Sequence, residues 1–212
     1  MKIAVLGSGT VGDVLADGCL RHGHTVVRGS RDPDKLAAWA SKSGGSAATF
    51  ADAVVDAELV ILAVKGTAAV EAIDLAGIDR LAGKVIIDAT NPIADAPPVD
   101  GVIRFFTDLN RSLMEQLQAT APAARFVKAF SCVGNAFMVN PQLPGGPPTM
   151  FICGNDAAAK LVVRELLTQF GWDTEDLGTA TAARAIEPLC MLWCIPGMRG
   201  GGWNHAFKLL RA

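Results

Sequence analysis

The 212-residue chain is predicted to be an α/β protein: a doubly wound, mainly parallel sheet with a small C-terminal helical and extended appendage. Three observations carry this reading. Short β-branched runs alternate with alanine-rich stretches of helical pattern. The runs are apolar at consecutive positions, as strands covered on both faces require. The first run leads directly into the glycine-rich turn Gly7-Ser8-Gly9-Thr10-Val11-Gly12 and then a helix.

Strands are expected at Ile3–Leu6, Thr25–Arg28, Leu59–Ala63, Val85–Asp88, Arg125–Lys128 and Thr149–Cys153, with a weaker one at Asp173–Leu177. Helices are expected at Val11–His22, Pro33–Ser41, Thr67–Ala76, Asn110–Thr120, Asp156–Phe170 and Ala180–Trp193. Pro33 suits a first helical turn, and Asp156 suits a cap. Successive βα units imply right-handed crossovers. The proline-rich segments Asn91–Gly101 and Asn140–Pro148 are loops, too rigid and donor-poor for helix or central strand. Residues 1–179 form the expected dinucleotide-binding domain. Residues 180–212 are expected to close an acceptor pocket and not to fold independently.

Half of the residues are hydrophobic, enough for a sizeable core. With 19 basic and 21 acidic side chains, the chain lacks the positive footprint of nucleic-acid binding. The opening MKIAVLGSG is too short for a signal peptide, and no apolar run reaches bilayer length. Five scattered cysteines with no CxxC pair read as reduced thiols. A cytoplasmic location without membrane association is therefore expected, with homodimerisation as one option. Cys190 and Cys194 share a helix face, but without a His or Asp cluster they make a poor metal site; core packing is the expectation.

The glycine turn has a physical logic. Gly7 permits a tight strand-to-helix turn, Gly9 lets backbone approach a pyrophosphate, and Gly12 lets the helix lie close to the sheet. Backbone N–H groups from Ser8 to Val11 would face phosphates at the positive helix end. Together with the flanking strands and helix, this predicts a Rossmann dinucleotide site. The second strand selects the dinucleotide. An NAD site usually ends that strand with an acid for the ribose 2′-hydroxyl, whereas this chain reads Val27-Arg28-Gly29-Ser30-Arg31. Arg31, Ser30 and Lys35 suit a 2′-phosphate, so NADP(H) is predicted.

Several segments carry a family resemblance: MKIAVLGSGTVG at the start, GHTVVRGSRDPDK, Ile87-Asp88-Ala89-Thr90-Asn91-Pro92, Val127-Lys128-Ala129-Phe130, MFICGNDAAAK and Glu187-Pro188-Leu189. A glycine-rich turn and Ala206-Phe207-Lys208-Leu209-Leu210 extend it. Over nearly its whole length the chain resembles the NADP oxidoreductases that use the deazaflavin coenzyme F420. It is also similar to the oxidoreductase domain of the STEAP metalloreductases. The resemblance implies that Ser8, Gly9, Thr10 and Val11 hold the pyrophosphate and that Ser30, Arg31 and Lys35 take the 2′-phosphate. It places Ala63, Val64 and Lys65 along the nicotinamide half, with Asn91, Pro92 and Val133 nearby. Gly201 matches a glycine beside the acceptor pocket. Ser131-Cys132, where these relatives tend to carry Asn-Thr, and the Met198–Trp203 turn depart from the pattern where the acceptor should sit.

The side-chain inventory agrees with such chemistry. The chain has no tyrosine and three histidines. Hydride transfer to coenzyme F420, FMN or FAD needs aligned rings more than a side-chain acid, and positioning supplies on the order of 7–11 kcal/mol in favourable models. Reduction of a simple ketone usually draws a proton from His, Tyr or Lys. His22 and His24 fall at the sheet edge opposite the ligand-binding edge. His205 is expected to be a solvated helix histidine. Lys65 and Lys128 sit at strand carboxyl ends, where either would orient an acceptor or neighbour a phosphate. Cys132 has no histidine placed to activate it. Met191, Trp193, Met198 and Trp203 suit core or dimer contacts, or a wall for a ring. Two other readings stand beside hydride transfer to a flavin-like acceptor: reduction of a small imine or carbonyl, and a non-catalytic NADP-sensing module.

Overall fold

The structure is a computed structural model describing residues 1–212. The first half runs β1 (Lys2–Leu6), α1 (Thr10–Arg21), β2 (Thr25–Ser30), α2 (Ala37–Ser43), β3 (Ser46–Thr49), α3 (Phe50–Ala53), β4 (Leu59–Leu62), α4 (Ala69–Ala76), α5 (Ile78–Leu81) and β5 (Val85–Asp88). The second half runs α6 (Leu113–Thr120), β6 (Arg125–Lys128), β7 (Thr149–Ile152), α7 (Ala157–Gln169), β8 (Asp173–Asp176), α8 (Ala183–Ile186) and α9 (Leu189–Met198). Six strands form one parallel sheet in the order β3-β2-β1-β4-β5-β6. Strand order reverses between β1 and β4, so their carboxyl ends open a crevice where ligands bind in this architecture. No helix is long and apolar enough to cross a membrane.

Alternation along the strands divides the core. Ile3 and Val5 of β1 join Leu15 and Cys19 of α1 and Val163 and Leu166 of α7 on one face. Ala4 and Leu6 join Ala69 and Ile73 of α4 and Leu113 and Leu117 of α6 on the other. Burial on both faces explains why these runs carry no polar alternation.

Some expectations change. The segment SAAT has no β-branched run, yet it forms β3 because its backbone completes β2 from Val27↔Ser46 to Ser30↔Thr49. Pro33 does open a helical turn, but a tight one over Pro33–Leu36 that precedes α2. α6 begins at Leu113, not Asn110, because Ser112 caps it: Ser112 and Glu115 form a reciprocal capping box. Asp156 caps α7 by accepting from the Ala159 N–H at 2.7 Å. β7 and β8 form a separate parallel pair. They touch the main sheet through one antiparallel bridge, Lys128↔Cys153. The expected helix Ala180–Trp193 breaks at Glu187-Pro188, and α9 continues to Met198.

The break falls at Pro188, which has no N–H to continue the helix, and Glu187 beside it enters a buried polar cluster. The Lys128 ammonium is fully buried and bonded to Asp88 Oδ2 at 2.7 Å, the Thr90 carbonyl at 2.8 Å and Glu187 Oε1 at 2.9 Å. Glu187 also accepts the N–H groups of Leu113 and Met114, each at 3.0 Å. Those are otherwise unpaired donors at the start of α6. Burial alone would lower the Lys128 pKa, but Asp88 and Glu187 outweigh it and hold the ammonium above its ordinary value. A second clamp lies nearby: the Arg184 guanidinium grips Glu115 with Nη2–Oε1 at 2.7 Å and Nε–Oε2 at 3.0 Å.

Two outcomes are expected. Lys128→Met leaves two buried carboxylates without their cation and should cost about 3–5 kcal/mol, read from the urea midpoint; an unchanged midpoint would refute the role given to this lysine. Hydrogen bonding from Arg184, with help from Ser112, holds the Glu115 carboxyl down from 4.5 to about 2. A lowered folded-state pKa stabilises fully above about pH 4.5, and that contribution fades as pH falls towards 2. Glu115→Gln should therefore melt below the wild type at neutral pH, with the gap narrowing below pH 4.5 in melts recorded across pH.

Candidate functional site

The site grows from the end of β1. Gly7 has φ 144°, a conformation that favours glycine, and a Cβ there would stand 2.2 Å from the Ala63 carbonyl oxygen. The turn is therefore pressed against the chain leaving β4. A Cβ on Gly12 would meet the Gly7 carbonyl at 2.6 Å, whereas one on Gly9 would meet nothing within 4 Å. The first two glycines named serve close packing, and Gly9 keeps the outer wall open. Asp13 N–H bonds to the Gly9 carbonyl at 3.0 Å, which opens α1. By helix geometry the N–H groups of Thr10, Val11 and Gly12 have no intrahelical partner and mark its positive end.

Beside this turn lies a hollow of about 240 Å³. Its wall includes Gly7, Ser8, Gly9, Ser30, Arg31, Ala63, Val64 and Lys65, gathered from the ends of β1, β2 and β4. Phe50, Ala68, Glu71, Ala72 and Leu75 complete it. Periodicity does not assign them to the hollow: the helical pattern of 67–76 says which residues share a face but not which cavity that face meets, and Phe50 lies outside every expected element. Glu71 matters most, standing across the hollow with its carboxylate 3.5 Å from Arg31 Nη1. Ser30 is buried, and its hydroxyl accepts from the Asp32 N–H at 3.2 Å.

A second hollow, about 270 Å³, shares Val64 and Lys65 with the first and continues along the ends of β4 and β5 to Thr90 and Asn91. Asn91 donates its side-chain N–H to the Ser131 carbonyl at 3.0 Å, tying the chain after β5 to that after β6. Lys65 is largely exposed, 3.7 Å from Asp95. Pro92 and Val133 are buried next to this region but line neither hollow. Thr10, Val11 and Gly12 form the helix start behind the first hollow's rim.

Two expected positions stand apart. Lys35 is exposed and pairs with Asp32 at 3.6 Å, because the tight turn over Pro33–Leu36 carries it away from the first hollow. Gly201 lies in the C-terminal turn, where its N–H bonds to the Pro196 carbonyl at 2.8 Å. No residue of 180–212 lines either hollow. The last residues run along β7 instead, with Thr149 N–H donating to the Phe207 carbonyl at 2.9 Å. A separate, largely apolar hollow of about 690 Å³ lies between residues 99–109 and the α8–α9 segment.

Lys128 is enclosed by three oxygens and cannot orient an acceptor. Cys132 is buried, and burial pushes its thiol up to about 12, so it is no thiolate at neutral pH. His205 is not a solvated helix residue. Its Nε2 lies 2.9 Å from the Trp193 carbonyl, Trp193 Nε1 donates to the His205 carbonyl at 2.9 Å, and the rings stack at 4.9 Å. Trp193 is buried over Gly134, and Trp203 packs on it at 5.4 Å. His24, paired with Gln169 at 2.8 Å, and His22 lie at the amino edge of the sheet, away from both hollows.

Comparisons with known proteins bear on the family and the fold. Residues 2–92 match the family model "NADP oxidoreductase coenzyme F420-dependent". A crystal structure from Arthrobacter sp. FB24, provisionally described as an F420-dependent NADP-reductase, is 38% identical and covers all of both chains with a TM-score of 0.93. Metalloreductase STEAP3 of Rattus norvegicus is 31% identical over 199 residues, 92% of this chain and 38% of that protein. The chain thus spans under two fifths of the metalloreductases it matches. A Streptomyces aurantiacus imine reductase, 18% identical with a TM-score of 0.69 over 94% of this chain and 64% of that one, shares the fold alone. With its glycine turn, parallel sheet and full-length likeness to the Arthrobacter protein, the chain belongs to the F420-dependent NADP oxidoreductase family.

Proposed function

We propose that this member of an NADP-dependent oxidoreductase family transfers hydride between NADPH and a deazaflavin or flavin-type acceptor. The observation that carries the reading is the hollow that joins the Gly7–Gly9 turn to Ser30 and Arg31 on one wall. Its residues fit the dinucleotide. Gly9 leaves open space where backbone would meet a diphosphate. Ser8 and the first N–H groups of α1 would bind that diphosphate, and Arg31 and Ser30 the 2′-phosphate. Arg31 would exchange its exposed pairing with Glu71 for the phosphate, at little cost because such surface pairs contribute about 0–1 kcal/mol.

The nicotinamide half would lie along Ala63, Val64 and Lys65 towards Asn91. NADPH supplies the hydride when bound, and the protein's part is alignment and exclusion of water. No histidine, tyrosine or reactive thiol lines either hollow, and Lys65, the one lysine there, is largely exposed and paired with Asp95; this inventory favours an acceptor whose own ring takes the hydride over one that needs a proton from a side chain.

Stopped-flow NADPH oxidation against coenzyme F420, FMN, FAD and ferric chelates tests the reading. Rapid oxidation with F420 or a flavin is expected. Tight NADPH binding with no oxidation by any acceptor would overturn it and favour a sensing module. Arg31→Ala should raise the Kd for NADPH by about tenfold or more, the effect of losing a charge-assisted bidentate contact, and hardly change that for NADH. Equal losses would refute the 2′-phosphate assignment.

A further inference from the structure

A cation is sealed beneath the glycine turn. Arg28 is fully buried on the face of β2 that meets α1. Its Nη2 donates to the Gly7 carbonyl at 2.9 Å, and its Nη1 to Oδ1 of Asp13 in the first turn of α1. The guanidinium lies 4.9 Å over the Trp39 ring, whose Nε1 donates to Asp17 of α1 at 2.7 Å. One side chain thus spans the end of β1, the start of α1 and, through Trp39, α2. The bare Gly12 keeps the space free: a Cβ there would stand 2.6 Å from the Gly7 oxygen and 3.2 Å from Arg28 Nη2.

We infer that Arg28 is a positioning residue for dinucleotide binding, acting through the Gly7–Ser8 peptide; this rests on the reading of Gly7–Gly12 as the dinucleotide turn. The reason is geometric. The peptide group is planar and trans, so its C=O and the following N–H point in opposite directions. Arg28 pulls the Gly7 carbonyl inward, and the Ser8 N–H is thereby aimed outward, on the side where Ser8 and Gly9 line the hollow. Without Arg28 that carbonyl would lose its partner, and a rotated peptide would turn an oxygen, not an N–H, towards an anion. The same guanidinium offsets the charge of Asp13, whose carboxylate would otherwise weaken the pull of the positive end of α1 on a diphosphate. Arg28 therefore serves the diphosphate, which both nicotinamide dinucleotides share. Arg31 faces the group that distinguishes them.

The test is calorimetric titration of the full chain with NADPH and with NADH, well below the melting temperature of each variant. Arg28→Met should raise both Kd values by a common factor of about ten or more, the effect of losing a hydrogen bond from a charged group, and leave their ratio unchanged. A merely structural arginine would lower the melting temperature and leave both Kd values in place, which would overturn the inference. A loss confined to NADPH would overturn it too. Should the methionine variant fail to fold, Arg28→Lys keeps the charge but cannot supply the guanidinium's paired donors to Gly7 and Asp13. It should weaken both nucleotides by about threefold or more, and unchanged affinity would refute the role. A wild-type chain that bound neither nucleotide would remove the dinucleotide site itself, and with it this inference.

Discussion

Three buried charges hold the carboxyl edge of the sheet together. Lys128 stands at the end of β6 and bonds to Asp88 at the end of β5, to the Thr90 carbonyl and to Glu187 between α8 and α9. Removing such groups from water is costly unless every partner is in place, so each contact constrains another segment. Asp88 accepts both the N–H and the hydroxyl of Thr90, shaping the chain that leads to Asn91. Glu187 anchors the start of α6 and ties the junction of α8 and α9 to it. The second hollow, walled by Thr90 and Asn91, inherits its shape from this cluster.

Beside β1 and β2 the crevice uses a related device with a different cation. There Arg28 is buried and its partners belong to the glycine turn and α1. Lys128 ends β6 and Arg28 lies two residues before the end of β2; Lys128 is matched by Asp88 and Glu187, Arg28 by Asp13. The sheet thus supplies rigid, dry supports, while the exposed ends, Arg31, Glu71 and Lys65, remain free to exchange partners with a ligand. A division between fixed supports and exchangeable contacts suits the cofactor alignment proposed above.

The fold was readable where burial imposed a pattern. β1, β4 and β5 show as apolar runs because both faces are covered. β3 did not show, since its SAAT segment is half-exposed and its order comes from pairing with β2. The cavity residues at the ends of β1, β2 and β4 were readable for a similar reason: glycine spacing and strand ends define them locally. Glu71 was not, because its meeting with Arg31 depends on the crossover that lays α4 beside the crevice. Lys128 read as a free strand-end lysine because its two acids lie 40 and 59 residues away along the chain.

The sequence by itself determined the βα alternation, the glycine turn after β1 and a basic, acid-free end to β2, each a property of contiguous residues and their period. Only the tertiary structure decided the partners of the charged side chains. It placed Lys128 and Arg28 inside, Arg31 against Glu71, and Lys35 with Asp32 away from the hollow. It also carried the last residues along β7. The physical reason is one of range. Apolar periodicity and backbone conformation are written locally, but whether a buried charge is tolerated depends on donors and acceptors that distant segments deliver only once the sheet has formed.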